Sequence, residues 1–256
     1  MKEEYKNLLL QLGIEDLESF LKKCRQSPTF LKGRALHPSI SLREGERVIV
    51  RQYLHGGLFR NFNRSLYLFG SRSFRELILT EEIRSSGIPT VQPIAAIHRF
   101  ILRPFYQAYF LSLEIPNSKD LIQYLWEIGT SPSREKVLLK RKMISSVGLL
   151  IQNFHRLGFF HSDLQLKNIL VAGNQLFLID FDRSFRKKPL SAAKRIRNLL
   201  RLNRSAEKWR NLGLPIHRTD RWRFFLAYAG EDETIRKAMK KAIRTHSIRR
   251  LLYRSC

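Results

Sequence analysis

His161-Ser162-Asp163-Leu164-Gln165-Leu166-Lys167-Asn168 is followed, twelve positions beyond Asn168, by Asp180-Phe181-Asp182. Between them lie two short apolar runs, Ile169-Leu170-Val171 and Leu176-Phe177-Leu178-Ile179, joined by Gly173-Asn174. Gly-Asn between apolar runs is a strong hairpin signal. Ahead of the stretch, Ile144, Val147, Ile151 and Phe154 recur at helical spacing and run into His155 and Gly158, as a buried helix ending in a glycine would. A lone H-x-D is common, and so is a lone Asp-Phe-Asp. In this order, with a hairpin between them and a buried helix before them, they read as one device.

The spacing H-x-D-x-x-x-x-N is that of kinase catalytic loops. Phosphoryl transfer needs little covalent help from a protein. It needs an acceptor hydroxyl held in line and cations that neutralise the charge developing on the phosphates. Asp163 can orient the hydroxyl and take its proton, which makes it the expected catalytic residue. Asn168 and Asp180 offer hard oxygen atoms suited to Mg²⁺ and are the expected metal ligands, with ATP as the phosphoryl donor.

Working outward toward the N-terminus, the chain changes character. Residues 5–24 carry apolar positions at helical spacing and read as one or two short amphipathic helices. Ile40, Leu42, Val48, Val50 and Tyr53 flank Glu44-Gly45-Glu46 and predict a β-hairpin. Ser73 to Arg84 predicts a helix closed by Gly87 and Pro89, and Ala95–Phe100 and Tyr106–Leu113 predict two strands. Such a lobe should hold the nucleotide. Arg51 ends the strand Val48-Ile49-Val50, and Glu76 lies on the following helix; together they fit the cation–carboxylate pair that touches the α/β-phosphates, with Arg in place of the usual Lys. Lys32-Gly33-Arg34 is a candidate phosphate-covering turn, although no G-x-G-x-x-G is present, and Glu114-Ile115 is placed by position as the adenine-binding hinge.

The fold class expected from these elements is α+β, a protein-kinase-like two-lobed fold. It has a small β-rich first lobe with one long helix and a mainly helical second lobe. The boundaries read as a helical extension at 1–29, the first lobe at 30–115 and the second at 116–256, with basic helices toward the C-terminus and Glu114-Ile115-Pro116-Asn117 as the linker. A chain of 256 residues, 43% hydrophobic, has material for a sizeable core.

Charge is the outlier. Lys and Arg number 47 against 22 Asp and Glu, a formal net charge of +25. An anionic partner follows, and nucleic acid, an acidic membrane face or a phosphorylated substrate would each answer to it. The two cysteines, Cys24 and Cys256, form neither a disulfide framework nor a metal cluster and suit a reducing cytoplasm. The N-terminus lacks the apolar run of a secretory signal, and no stretch approaches the ~18 apolar residues that span a bilayer.

The order Gly33-Arg34, then Val50-Arg51-Gln52-Tyr53-Leu54-His55-Gly56-Gly57-Leu58, is similar to that of the lipopolysaccharide core sugar kinases. Within that group the chain most resembles the 3-deoxy-D-manno-octulosonic acid (Kdo) kinases. Ser73-Phe74-Arg75-Glu76, Gly87-Ile88-Pro89, the 161–168 loop, Asp180-Phe181-Asp182 and Asn198-Leu199-Leu200-Arg201-Leu202-Asn203-Arg204-Ser205 continue the likeness, which runs from about residue 30 to residue 210. The turn at Gly33-Arg34-Ala35-Leu36 departs from it in lacking a second glycine.

The resemblance implies an ATP- and Mg²⁺-dependent phosphotransferase whose acceptor is a Kdo hydroxyl on a lipid A precursor. It implies work at the cytoplasmic face of the inner membrane. The anionic glycolipid would give the positive charge a use, with Lys194, Arg195, Arg197, Arg201, Arg204, Arg60, Arg64 and Arg72 as candidate contacts. Ser162 stands where regulated protein kinases carry Arg, and no Ala-Pro-Glu follows Asp182, so a small-molecule acceptor is favoured over a peptide. The alternatives are a heptose kinase, an atypical minimal protein kinase, and an RNA-binding protein with a degenerate kinase-like loop. For the last, Trp209, Trp222 and Phe224 among arginines would stack on bases, but the intact catalytic set weighs against nucleic acid. The residues specify no oligomeric state.

Overall fold

The structure, a computed structural model, describes residues 1–26, 38–54, 66–68, 70, 72–102, 104–129 and 133–241. The chain divides into two compact units, one of residues 1–117 with 181–183, the other of residues 118–180 with 184–256.

The first unit is built on an antiparallel sheet of β1 (Ser39–Arg43), β2 (Glu46–Gln52), β3 (Pro93–Leu102) and β4 (Phe105–Leu113), in the order β1-β2-β4-β3. The β1–β2 turn falls at Glu44-Gly45, where Gly45 takes φ +74°, a conformation glycine adopts without steric cost. Side chains alternate across a strand, and here the alternation sorts two clusters. Val48 and Val50 of β2 and Tyr109 and Leu111 of β4 face one side. There they meet Tyr5, Leu9, Phe20, Leu21 and Cys24 from the 3₁₀ turn Glu3–Tyr5, α1 (Lys6–Gln11) and α2 (Leu17–Gln26). The N-terminal helices, expected as an extension of their own, thus share the core of the sheet.

On the other face lie Tyr53, Tyr67, Tyr106, Ala108 and Phe110, with Leu77 of α3 (Arg72–Ser85) packed against them. Arg51, one residue beyond Val50, is carried to this face by the same period of two. Leu79, Thr80 and Ile83 of α3 are buried, and so is Glu76 at 3% exposure.

The second unit is mainly helical. It holds α4 (Leu121–Gly129), α5 (Arg134–Arg156), α6 (Ala192–Asn211) and α7 (Arg218–Ala229), with a further helical stretch at 233–241. Ser133 caps α5 by accepting from the Lys136 amide, and Ser191 does the same for α6 with Lys194. α5 buries Ile144, Val147, Ile151 and Phe154, as the spacing predicted. Gly148 lets α7 approach closely: a Cβ there would lie 2.8 Å from the Phe224 carbonyl oxygen.

Short strands frame the polar segments. β5 (Lys119–Asp120), β7 (Ile169–Ala172) and β8 (Gln175–Leu178) form a three-stranded antiparallel sheet, in which β7 and β8 are the predicted hairpin. β6 (Phe159–Phe160) pairs with β9 (Phe185–Arg186), and Lys187 donates to the Gly158 carbonyl at 2.8 Å. The chain is therefore tied to itself just before His161 and just after Ser184. Among the described residues no helix is long and apolar enough to cross a membrane.

Candidate active site

His161 is fully buried, and its ring makes two bonds that fix its tautomer. Nε2 lies 3.0 Å from the Ile179 carbonyl, which can only accept, so Nε2 carries the proton. Nδ1 is then free to accept from the Asp163 amide, 3.1 Å away. Burial holds this ring neutral by pushing its pKa down. The histidine thus joins the start of the loop to the end of the hairpin, next to Asp180.

Helix α6 clasps the same loop from outside. Asn198, 1% exposed, accepts from the His161 amide at 3.0 Å and donates to the His161 carbonyl at 2.8 Å. Seven residues on, Ser205 Oγ accepts from the Leu166 amide at 3.2 Å. Between them Arg201 Nη1 reaches Asp163 Oδ1 at 2.8 Å. Positions 198, 201 and 205 share one helical face. Behind Asn198 a polar chain runs inward: Arg195 Nε donates to Tyr228 Oη at 2.9 Å, Tyr228 lies 2.7 Å from His155 Nδ1, and His155 Nε2 lies 3.1 Å from Asn198 Oδ1. Since Asn198 Oδ1 only accepts, His155 is protonated on Nε2 and Tyr228 donates to Nδ1. Every member of this buried chain has a partner, which makes it rigid.

Asp163 is 35% exposed at its side chain. Its Oδ1 takes bonds from Gln165 Nε2 at 2.5 Å and from Arg201, while Lys167 Nζ stands 4.0 Å from Oδ2. Asn168 is buried, and its Nδ2 donates to the Asp163 carbonyl at 2.8 Å. That bond uses one of the two N–H donors of the amide and leaves the amide oxygen as the atom that could meet a cation. Asp180 adopts φ +68°, a left-handed backbone that a residue with a side chain rarely takes. Mg²⁺ is held by one or two protein oxygens together with substrate phosphates and water, and Asn168 and Asp180 supply that number and kind of donor.

In the first unit, Arg51 Nη2 and Glu76 Oε1 are 2.5 Å apart, so the structure brings this pair together. Glu76 also accepts from the Tyr53 hydroxyl and, at 3.1 Å, from the Phe181 amide. Arg51 lies over the rings of Tyr53 and Phe110, at 4.9 and 5.3 Å from their centroids. Burial raises the Tyr53 phenol far above its usual range, with the Glu76 carboxylate adding to the effect, so Tyr53 stays a donor. Arg72, at the start of α3, forms a two-pronged ion pair with Asp182, one prong at 3.0 Å, and its Nη1 donates to Tyr67 at 3.3 Å. Phe181 itself is 1% exposed.

The other expected positions fare differently. Glu114 lies at the end of β4, where its carboxylate accepts from Ser39 Oγ at 2.6 Å and pairs with Arg47 at 3.3 Å. Its amide donates to the Arg47 carbonyl at 2.8 Å. The side chain of Glu114 is thus engaged with β1 and β2, and its backbone amide with β2. Gly33 and the turn around it, as well as Arg60 and Arg64, lie outside the described residues. Of the arginines expected to hold a glycolipid, Arg72, Arg195 and Arg201 are paired with Asp182, Asp232 and Asp163. Sequence reasoning gave no role to Asn198, Ser205, Tyr53 or Asp182. The first two recur at i, i+7 on the face of α6 that carries Arg201, a spacing that marks the face and leaves the role unstated.

Comparison with known proteins gives a consistent result. A model of the lipopolysaccharide kinase (Kdo/WaaP) family matches residues 30–228. The chain is similar to the 3-deoxy-D-manno-octulosonic acid kinase of Vibrio vulnificus strain YJ016, 34% identical over 168 residues, which are 63% of this chain and 65% of that protein. The match therefore spans just under two thirds of that relative. The protein of the same description from Haemophilus influenzae strain Rd is 33% identical over 173 residues, covering 64% and 67% of the two chains. That of Pasteurella multocida strain Pm70 is 30% identical over 200 residues, covering 74% and 79%. Among solved structures, WaaP in complex with acyl carrier protein matches with a TM-score of 0.57 over 90% of this chain and 92% of that one, at 17% identity. At that identity the likeness shows the fold, which is kinase-like.

Proposed function

This chain belongs to the lipopolysaccharide kinase (Kdo/WaaP) family, and from that premise we propose that it phosphorylates a Kdo hydroxyl on a lipid A precursor, with ATP as donor. The observation that carries the reading is the tie between Asp163 and Asn168. One short loop holds a carboxylate and, through the 2.8 Å bond from Asn168 Nδ2 to the Asp163 carbonyl, an amide oxygen in a set relation to it. Kinase chemistry asks for those two groups on one loop.

In this reading the acceptor hydroxyl oxygen attacks the γ-phosphorus of ATP. A new O–P bond forms, the bond to the β,γ-bridging oxygen breaks, ADP leaves, and the hydroxyl proton passes to Asp163. Bound Mg²⁺ would neutralise charge on the phosphates. Asn168 and Asp180 would hold it, and Arg51, kept in place by Glu76, would contact the phosphates as a planar cation. The backbone of Glu114 and Ile115 receives the adenine edge. The surplus of positive charge, +25, supports an acceptor that is itself anionic and sits in an anionic leaflet. The protein acts on the cytoplasmic face of the inner membrane, bound at its surface.

The test is a transfer assay with γ-labelled ATP offered Kdo-bearing lipid A precursor, free neutral sugars and a generic protein substrate. Label is expected in the glycolipid alone. Label in protein and none in glycolipid would refute the reading.

A further inference from the structure

Arg201 is placed where an acceptor must arrive, and it does not serve there as a mere prop. Asp163 is already oriented without it: its amide is bound to His161 Nδ1 at 3.1 Å, and Gln165 Nε2 bonds Oδ1 at 2.5 Å. Arg201 Nη1 donates to that same Oδ1 at 2.8 Å. A second donor on one oxygen adds little to orientation. It does leave Oδ2, 4.0 Å from Lys167 Nζ, as the oxygen that can receive a hydroxyl proton.

The helix that carries the guanidinium is also fixed to the loop. Asn198 and Ser205, on the same face of α6, bond the backbone of the same loop, so the helix that carries Arg201 is held against the loop that carries Asp163. Yet 38% of its side chain remains exposed, beside a base that is 35% exposed. An arginine carries five donors in a planar fork, and Asp163 takes one of them. The remainder suit a carboxylate, which an arginine binds through two parallel bonds. A hydroxyl and a carboxylate on one sugar ring are near neighbours, so two adjoining protein groups such as Asp163 and the guanidinium that touches it can hold one each.

We infer that Arg201 determines acceptor specificity by binding the carboxylate of an acidic sugar while Asp163 holds the hydroxyl of the same ring. The inference rests on the reading above, in which the acceptor is an acidic sugar, and narrows it to a chemical criterion: the enzyme reads acid against neutral. The fork's bond to Asp163 holds the guanidinium ready until the acceptor arrives.

The experiment compares two acceptors, Kdo-bearing lipid A precursor and the same glycolipid with the Kdo carboxyl converted to its amide, across wild type, Arg201→Lys and Arg201→Gln. The ratio of kcat/KM between the two acceptors does not depend on how much of a variant is folded. Wild type is expected to prefer the acid by about tenfold to hundredfold, the range of a bond to a charged group. Arg201→Gln should lose that preference, its kcat/KM falling further on the acid than on the amide until the two are nearly equal. Arg201→Lys should keep part of it. If wild type uses both acceptors equally, or Arg201→Gln discriminates as wild type does, the inference is overturned while the kinase reading stands. If wild type labels neither, the acceptor reading itself falls, and this inference with it.

Discussion

Arg51 and Glu76, twenty-five residues apart, meet at 2.5 Å with the carboxylate only 2% exposed. β2 supplies the cation because alternation turns Arg51 away from the valines, and α3 supplies the acid from its buried face. The same carboxylate accepts from Tyr53 and from the Phe181 amide, so one side chain joins the sheet, the helix and the segment that follows Asp180.

Removing Glu76 would leave a mostly buried guanidinium, a phenol and an amide without their acceptor. Glu76→Ala is expected to cost about 3–5 kcal/mol and to lower the thermal midpoint on the order of ten degrees. Glu76→Gln keeps the volume and loses the charge that holds Arg51. Its expected effect is a rise of about tenfold or more in KM for ATP, with a smaller loss of stability. Thermal melts and initial rates over a range of ATP concentration check both, and an unchanged KM in Glu76→Gln would remove Arg51 from the nucleotide site.

The two carboxylates flanking the hairpin should separate by function. Asp163→Ala is expected to cut turnover by about 10²–10⁴ while ATP binding in the presence of Mg²⁺ is retained. Asp180→Ala should lose turnover and also weaken nucleotide binding, because a carboxylate that would hold Mg²⁺ is lost with it. Calorimetric titration with Mg²⁺ and a non-hydrolysable ATP analogue distinguishes the two. Near-normal turnover in Asp163→Ala would unseat the loop assignment.

The sequence made parts of this arrangement readable and hid others for physical reasons. Periodicity exposed the 169–178 hairpin, α5 and the β1–β2 turn, since burial on one face writes a pattern into the residues themselves. The Arg51–Glu76 pair could be anticipated because a strand end and a helix face recur at fixed places in this fold. Asn198 could not be given its role in that way. Its bonds go to the backbone of residue 161, and a backbone group leaves no trace in the residue types that face it. Tyr53 and Asp182 were hidden similarly: each binds a residue, Glu76 or Arg72, that looked complete with its expected duty. Arg201 was read as one cation among many on a basic helix, and only its distance to Asp163 singles it out.

Arg72 and Asp182 carry a prediction about the backbone. Asp180 and Arg183 take φ +68° and +57°, each a conformation that costs about 1–3 kcal/mol for a residue with a side chain. Such a segment persists only when its surroundings over-determine it. The two residues between them are pinned, Phe181 by Glu76 and Asp182 by the fork of Arg72. Arg72→Ala is expected to speed amide exchange across residues 180–183 and to reduce kcat, whereas Arg72→Lys, which keeps the charge and loses the fork, should restore only part of both. Exchange rates unchanged in Arg72→Ala would show that the ion pair does not hold the segment.

His155 sets a dependence of stability on pH whose sign can be worked out. Burial pushes its pKa from 6.5 down to about 3, against a smaller upward effect of the bond to Asn198. His161 is lowered by burial as well. Well above pH 6.5 both rings are neutral whether the chain is folded or not, so they contribute no slope there. Below it the unfolded chain binds protons that the folded protein refuses, and stability must fall as pH falls, by about 1.4 kcal/mol per pH unit for each fully linked histidine. For His155 the window runs from pH 6.5 down to about 3. Urea unfolding of wild type and His155→Gln between pH 5 and 7 measures the effect. The variant is expected to be less stable throughout, because Tyr228 and Asn198 lose a matched partner, yet its stability should decline less steeply with acid, by up to one proton's worth of slope. Parallel curves for the two proteins would mean that His155 takes up its proton in the folded state near pH 6.5, and that the chain from Arg195 to His161 is open to water.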